Sequence, residues 1–575
     1  MSIHPAMVTA CRAAWAAETA AVRETREAMA SRARAFKQTA DGAAVRFLCF
    51  SFDGNDILVQ VLEEIMTRGY INCKIWHSSA SAFLIEDGRF AKLGTNEEIE
   101  EQNGSNELID LKGMMVIPGF VDSHMHLAEL GYYLSQMQLI GMKDSSELKN
   151  KIAVYRQQNP EARWIIGRGW DDTLMERPNK KMLDALCPDL PLAVTRVDGH
   201  VMAVNSKALQ EAKIDENTET EGGTIDLASG ILEENAIALI QKAMPAPNEK
   251  KIRQYIELGQ KLANSYGITS VGSDDFLAVV RDYRPVLNVF EQMSYQEALT
   301  VRVNEQCEFA DLNQYAQFLD EGYTMDVGND FFRIGPLKII ADGTLGAETA
   351  ALSEPYADQK ENKGMMTISE DDLRIMTQLA SNYNMGVIVH AIGDAAVDTV
   401  LKICKEFELP GNPLHSGLVH CQILRQDQID EICRMHLSCY VQSLFEEDDG
   451  RILAARIGTK RSETCYPFTS LLHGTLTSNG SDAPVCMPQA LHGISLAVNG
   501  VPGIKETMSA EEALSSYTEK GAEQIFMQDS IGQIKEGSYA DFAVLDQDIL
   551  SCSPDQIDHT KVMMTVMNGN TVYEK

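Results

Sequence analysis

No stretch of the 575-residue chain approaches the about 18 uninterrupted apolar residues that a membrane-spanning helix needs, which excludes such a span. The 12 cysteines include no C-x-x-C pair and have no regular spacing, which argues against a zinc knuckle and against a secreted disulfide framework. Cys433 and Cys439, the nearest pair, fall in a helix-like run and in the strand after it. The twelve read as reduced thiols. Basic residues are in short supply, with 50 Lys and Arg against 83 Asp and Glu and a formal charge of −33. Such a surface repels phosphate backbones and anionic membranes, so neither nucleic acid nor membrane is an expected partner. The first thirty residues lack the basic start and apolar core of a secretory signal, and Glu18, Glu24 and Glu27 argue against a transit peptide. The expected location is cytoplasmic. No internal repeat or low-complexity tract stands out.

The chain is too long for one ordinary domain, and its composition is that of a soluble globular protein. Residues 1–65 differ in texture from the rest: an Ala-, Arg- and Glu-rich helical stretch over 8–46, then VRFLCFSFDGNDILVQVLEEI, a strand-like run followed by a helical one. No role is assigned to them. Residues 66–117 and 530–575 share short alternating strands, with Asp87-Gly88 and Asn568-Gly569 as hairpin turns. Two such sets at opposite ends of a chain are expected to form one composite β-sandwich. Between them, over 118–529, apolar strands such as VIPGFVD, GPLKIIAD, MGVIVHAIG and SGLVHC alternate with helical segments, which implies a parallel sheet, open or closed into a barrel. A further α/β block at about 132–250 reads as an inserted subdomain.

The sharpest motif is VIPGFVDSHMHL, residues 116–127, where a buried strand ends in His124-Met125-His126. Side chains two apart on a strand face the same way, so two imidazoles project from a strand's C-terminal end, where barrel enzymes place their chemistry. That arrangement suits a divalent ion such as Zn²⁺ or Mn²⁺. Two surface histidines would read the same in isolation. The remaining ligand types follow in order at strand ends: His390 closes GVIVH, His420 closes GLVH, and Asp482 sits in SNGSDAP. Lys338 lies within the apolar run GPLKIIAD, where a buried charge is costly. Two accounts of it stay open: pairing by Asp342 or another carboxylate, or carbamylation by CO₂ into an anionic ligand.

Taken together, PGFVDSHMH, LKIIADGTLG, VIVHAIGDAA, LVHCQ, GSDAPV and the tail IGQIKEGSYADFAVLD resemble amidohydrolase family 3, the branch that includes N-substituted formamide deformylases. The resemblance runs from about Arg68 to the C-terminus and leaves out residues 1–65. It implies a deformed (β/α)₈ TIM barrel, a composite β-sandwich and an α/β insertion. It also implies that His124 and His126 bind a first metal, that Lys338 as a carbamate bridges to a second metal held by His390 and His420, and that Asp482 contacts the first metal and the hydrolytic water. One or two ions per chain are expected, Zn²⁺ foremost, with Mn²⁺ or Fe²⁺ as alternatives. The implied reaction is hydrolysis of a non-peptide C–N bond in a small amide or formamide, with Asp482 as base and then acid. His200, in RVDGHVMAVNS, resembles a segment over the barrel mouth and is a candidate for contacting substrate or an oxyanion. Trp170, Asp172, Gln442 and Arg461 are candidate pocket residues. A homodimer is compatible with the family. Two other readings compete: a non-catalytic scaffold that keeps the fold, and the same metal site used for deamination or for ester or lactone hydrolysis, since a fold does not set its substrate.

Overall fold

The computed structural model describes residues 47–52, 55–60 and 67–575, apart from positions 198 and 221. The helical stretch expected over 8–46 lies outside the described residues. In the run after it, Phe47–Phe52 and Asn55–Gln60 form an antiparallel pair of strands, so NDILVQ is strand where the sequence reading expects helix. Ile57 and Val59 are β-branched and follow an Asp-Gly pair, a hairpin signal that outweighs the helical flavour of the segment.

The centre of the molecule is an eight-stranded parallel sheet in which each strand neighbours the next in chain order. Its strands are β1 (Phe120–Met125), β2 (Ile268–Ser273), β3 (Arg302–Cys307), β4 (Phe332–Ile340), β5 (Val387–Ala391), β6 (Gly417–His420), β7 (Ser438–Val441) and β8 (Thr477–Asn479). The sheet curls into a (β/α)₈ TIM barrel. Its seam lies just beyond β8, where the Asp482 N–H donates to the His124 carbonyl and the His126 N–H to the Ala483 carbonyl, both at 2.8 Å. Gly480 is what permits this approach, since a Cβ there would meet the His124 nitrogen at 2.6 Å. Residues predicted as ligands, from each end of the sheet, are thus brought to the same seam.

Chain ends build the second layer. Lys74–Ile75 and Met115–Pro118 join Phe542–Leu545, Val562–Met567 and Asn570–Glu574 in one sheet. Arg68–Ile71, Ala82–Glu86, Arg89–Gly94 and Glu107–Asp110 form the other. Tyr70, Phe83, Phe90 and Phe542 pack between them with ring centroids 4.8–5.9 Å apart. Both hairpin turns carry consecutive positive φ values, 48° and 72° at Asp87-Gly88 and 51° and 74° at Asn568-Gly569, as a two-residue turn of matching twist requires. The inserted block forms a six-stranded sheet of its own between Met137 and Glu234. Among the described residues, no helix is long and apolar enough to cross a membrane.

The helix Leu127–Ser135 starts directly after His126, and its first two N–H groups are met by neighbours rather than by its own cap: Leu127 donates to Ser273 Oγ at 2.9 Å and Ala128 to Asp275 Oδ1 at 2.7 Å. It packs against the helix Glu249–Ser265, which buries Ile252, Ile256, Gly259 and Ala263 along one stripe. The crossing is tight at Gly131, where an added Cβ would stand 1.7 Å from the Tyr255 carbonyl oxygen. Gly131→Ala must therefore separate two backbones. It is expected to destabilise the protein by about 1–3 kcal/mol, the usual range for overpacking, and to lower metal retention because this helix carries His126 at its start. Thermal midpoints and metal content of the variant check both parts.

Candidate metal centre

The side chains of His124, His126 and Asp482 converge, with one ligand atom from each lying within 4.8 Å of the others. His126 Nε2 and His124 Nε2 are 3.2 and 3.4 Å from Asp482 Oδ1. The His124 ring lies 5.4 Å from that of His126 and 5.8 Å from that of His420, and His420 lies 4.4 Å from His390, centroid to centroid. Lys338 Nζ stands 3.4 Å from His124 Nε2. All six residues predicted as ligands thus occupy one cluster at the C-terminal ends of the barrel strands. Two of them hold left-handed backbone, His420 at φ 82° and Asp482 at φ 56°, a conformation that is costly for side chains with Cβ.

The ring nitrogens are sorted by their partners. His124 Nδ1 lies 2.5 Å from Gln306 Oε1, His126 Nδ1 2.6 Å from the Asp274 carbonyl, and His420 Nδ1 2.8 Å from Gln442 Oε1. Each partner is an oxygen that only accepts. The orientation of both amides follows from their other ends, since Gln306 Nε2 donates to the Ser123 carbonyl at 2.9 Å and Gln442 Nε2 to the Tyr440 carbonyl at 3.0 Å. Each of the three imidazoles therefore carries a proton on Nδ1 and turns Nε2 to the cluster, the orientation in which a histidine binds metal through Nε2. His390 is arranged differently, with Nε2 3.1 Å from the Gly343 carbonyl.

Electrostatics agree with this arrangement. Burial, reinforced by neighbouring positive groups, holds His124 and His390 well below the usual imidazole range. Burial also brings His420 down to about 4. At His126 burial acts in the same direction, but the hydrogen bond to Asp482 and the charge of Asp274 outweigh it and raise the group to about 10. Asp482 is held low against its own burial by the His126 hydrogen bond and the surrounding imidazoles. The cluster thus presents His124, His390 and His420 as neutral imidazoles, while His126 keeps its proton against the Asp482 carboxylate; a divalent cation would take the place of that proton, and the donor set suits one.

Lys338 is paired by a carboxylate, and the residue is Asp274 rather than Asp342: Nζ lies 3.1 Å from Asp274 Oδ2. Asp342 instead accepts the backbone N–H groups of Ala351, Ile392 and Gly393 at 2.8–3.0 Å. The expected pocket residues fall elsewhere. Trp170 is fully buried in the core of the insertion, and its Nε1 donates to the Val194 carbonyl at 3.0 Å, which leaves no face for a substrate. Asp172 pairs with Arg177 and Arg196 at 3.2 and 3.3 Å. Arg461 donates to the carbonyls of Ile457, Glu354 and Pro355, so it fastens loops together instead of awaiting a carboxylate. Gln442 stands behind His420 rather than lining the pocket. His200 is on the insertion, with Nδ1 3.0 Å from Glu234 and well over half of its side chain exposed.

Sequence reasoning missed Asp274 and Gln306, and with them two half-buried acids near the cluster, Glu129 and Glu308. Burial, with the charge of Asp274 added to it, raises Glu308 to about 7. A signal for them existed. Polar runs are unusual in strands such as β4, β5 and β6, and two of them, GSDD at the end of β2 and NEQCE at β3, mark this part of the barrel.

Comparison with known proteins agrees with the geometry. The model of the amidohydrolase family matches residues 107–573. The YtcJ protein of Bacillus subtilis is 32% identical over 534 residues, covering 87% of this chain and 99% of its own. An N-substituted formamide deformylase of Arthrobacter pascens is 23% identical over 526 residues, covering 87% of this chain and 96% of its own. A crystal structure of an uncharacterized metal-dependent hydrolase from Pyrococcus furiosus superposes with a TM-score of 0.73 at 28% identity, covering 84% of this chain and all of that one. With the barrel, the ordered ligand cluster and a family match over most of its length, the chain belongs to the amidohydrolase family of metal-dependent hydrolases.

Proposed function

We propose that this protein hydrolyses a non-peptide C–N bond, of amide or N-substituted formamide type, in a small molecule. The observation that carries the reading is the shared anchoring of His124, His126 and His420, each with Nδ1 on an oxygen acceptor, together with the Asp482 carboxylate that faces Nε2 of both His124 and His126. The similarity to the formamide deformylase supports the choice of bond.

In this reading His124, His126 and Asp482 hold a divalent ion, and His390, His420 and Lys338, the last as a CO₂-derived carbamate, complete a second position. Zinc is the ion favoured by such a set of four imidazoles with carboxylate-type oxygens, with Mn²⁺ and Fe²⁺ next. When bound, such an ion supplies Lewis acidity toward water and toward the scissile carbonyl. Asp482 Oδ1 faces both His124 and His126, which places it to take a proton from attacking water and return it to the leaving nitrogen. Gln306, Gln442 and the Asp274 carbonyl keep the imidazoles from turning. His200 is retained as a candidate substrate contact from the insertion.

Elemental analysis of the purified protein tests the metal, and a panel of N-substituted formamides and N-acyl amines tests the bond. At least one transition metal per chain is expected. Treatment with a chelator should abolish turnover, and adding back Zn²⁺ or Mn²⁺ should restore it. Release of amine from the panel supports the proposal. Turnover restricted to esters, lactones or amino-heterocycles sinks the bond assignment and leaves the metal, while a metal-free protein sinks both.

A further inference from the structure

We propose that Asp274, at the end of β2 and outside the ligand set, is the positioning residue of the metal centre: it holds His126 through its backbone and Lys338 through its side chain. The inference rests on the metal-site reading given above. Its backbone carbonyl lies 2.6 Å from His126 Nδ1, and its carboxylate Oδ2 lies 3.1 Å from Lys338 Nζ. One residue therefore spans the two ligands that come from β1 and β4, strands separated in the barrel by β2 and β3. Asp274 is itself gripped. Its N–H donates to the Met125 carbonyl at 2.9 Å, which ties it to the residue between the two histidines.

The flanking residues complete a bed under the histidine segment. Ser273 Oγ and Asp275 Oδ1 accept the N–H groups of Leu127 and Ala128, and the Asp275 N–H donates to Glu305 Oε1 at 2.9 Å. Three consecutive residues, Ser273, Asp274 and Asp275, thus contact the chain from Met125 to Ala128. Asp274 is only 2% exposed, and its Oδ1 has no hydrogen-bond partner among the described residues. A buried carboxylate oxygen without a partner is costly, and the protein retains it beside a lysine that is 3% exposed. Packing alone would be better served by a neutral side chain. The contact to Lys338 also outlasts a change in the lysine: Nζ keeps a hydrogen to donate both as an ammonium and as a carbamate. Asp274 Oδ2 can therefore orient Nζ in either form.

Outer contacts of this kind usually contribute 10–100-fold to metal affinity. Asp274→Ala keeps the carbonyl that holds His126 and removes the hold on Lys338, so it isolates the side-chain half of the role. Affinity is read by competition with a chromophoric zinc chelator, and ligand geometry by the visible absorption of the cobalt(II) form. Asp274→Ala is expected to weaken zinc by about 10–100-fold and shift the cobalt bands. Asp274→Asn, which keeps an acceptor oxygen, should recover part of the affinity while still shifting the bands. In a Lys338→Ala background, Asp274→Ala should cost clearly less than it does alone, the remainder coming from the loss of its charge beside His126. Wild-type affinity in Asp274→Ala, or an undiminished loss in the Lys338→Ala background, overturns the assignment. Should the alanine variant fail to fold, cobalt bands of Asp274→Asn identical to wild type overturn it. Wild-type protein that binds no metal overturns it together with the hydrolase reading, so the two failures are told apart.

Discussion

Asp482→Asn is expected to fold normally and to lose turnover by on the order of 10²–10⁴-fold, the range for removing a positioned proton carrier. Asparagine is the informative replacement because position 482 has φ 56°, a left-handed conformation that Asn tolerates and alanine does not. The exchange keeps volume and shape and removes the one negative charge shared by His124 and His126. Two consequences separate. The proton carrier is gone whatever metal is present, and a metal ligand becomes neutral, so metal content should also fall. The backbone contacts of the segment survive, since the Asp482 N–H to His124 and the Val485 N–H to Asp482 use main-chain atoms alone. A thermal midpoint within a few degrees of wild type, with amine release from the best formamide or amide nearly abolished, is the expected outcome. Retention of a tenth or more of the wild-type rate would remove Asp482 from the chemistry.

Most of the candidate ligands could be picked out in the sequence because they interrupt or end apolar strands. His124, Lys338, His390 and His420 interrupt or end runs of Val, Ile and Leu, and buried parallel strands are the places where such runs occur. Strands β2 and β3 do not look like this. ITSVGS and RVNEQC carry seven polar side chains, those of Thr269, Ser270, Ser273, Arg302, Asn304, Glu305 and Gln306, and all are nonetheless buried. Their burial is made tolerable by partners far away in sequence: Gln306 with His124, Glu305 with the Asp275 N–H, Arg302 with Asp541. Those partners are distant in sequence, so the polar runs mark β2 and β3 without showing that Asp274 and Gln306 contact the histidines. The insertion misled for the opposite reason. Trp170 and Asp172 sit in a conspicuous GRGWDD motif, but the tryptophan is conspicuous because it fills a core, and the aspartate because it balances two arginines. Arg461 and Gln442 show a third case, in which a polar side chain serves backbone carbonyls or a neighbouring ligand and a residue type alone does not say which.

The contact between the barrel and the sandwich made from the chain ends carries the other large expected effect. Arg302 in β3 reaches Asp541, next to the sandwich strand Phe542–Leu545, with Nε–Oδ2 at 2.6 Å and Nη2–Oδ1 at 3.0 Å. This is a two-point pairing between planar groups, and both side chains are no more than 2% exposed. Remaining polar atoms are used as well: Arg302 Nη1 donates to the Asp330 carbonyl at 2.7 Å, and Asp541 Oδ1 accepts the Asn568 N–H at 2.7 Å. The guanidinium also lies over the Tyr539 ring, 4.0 Å from its centroid. A charge so fully removed from water is tolerated only with its partner in place. Asp541→Ala leaves Arg302 buried and unpaired and is expected to destabilise the protein by about 3–5 kcal/mol. Because Asp541 also receives the N–H of Asn568, the final hairpin should loosen first, and protease should cut near the C-terminus before the barrel opens. Replacing both partners together, as Arg302→Met with Asp541→Leu, removes the stranded charge and should recover much of the loss, since a buried ion pair exchanged for apolar groups of similar size costs little. Urea midpoints of the two single variants and the double variant decide the matter. Single losses that simply add would mean that the two residues stabilise the fold independently, whereas a double variant more stable than Asp541→Ala shows that the stranded charge, and not the missing carboxylate, is what unfolds the protein.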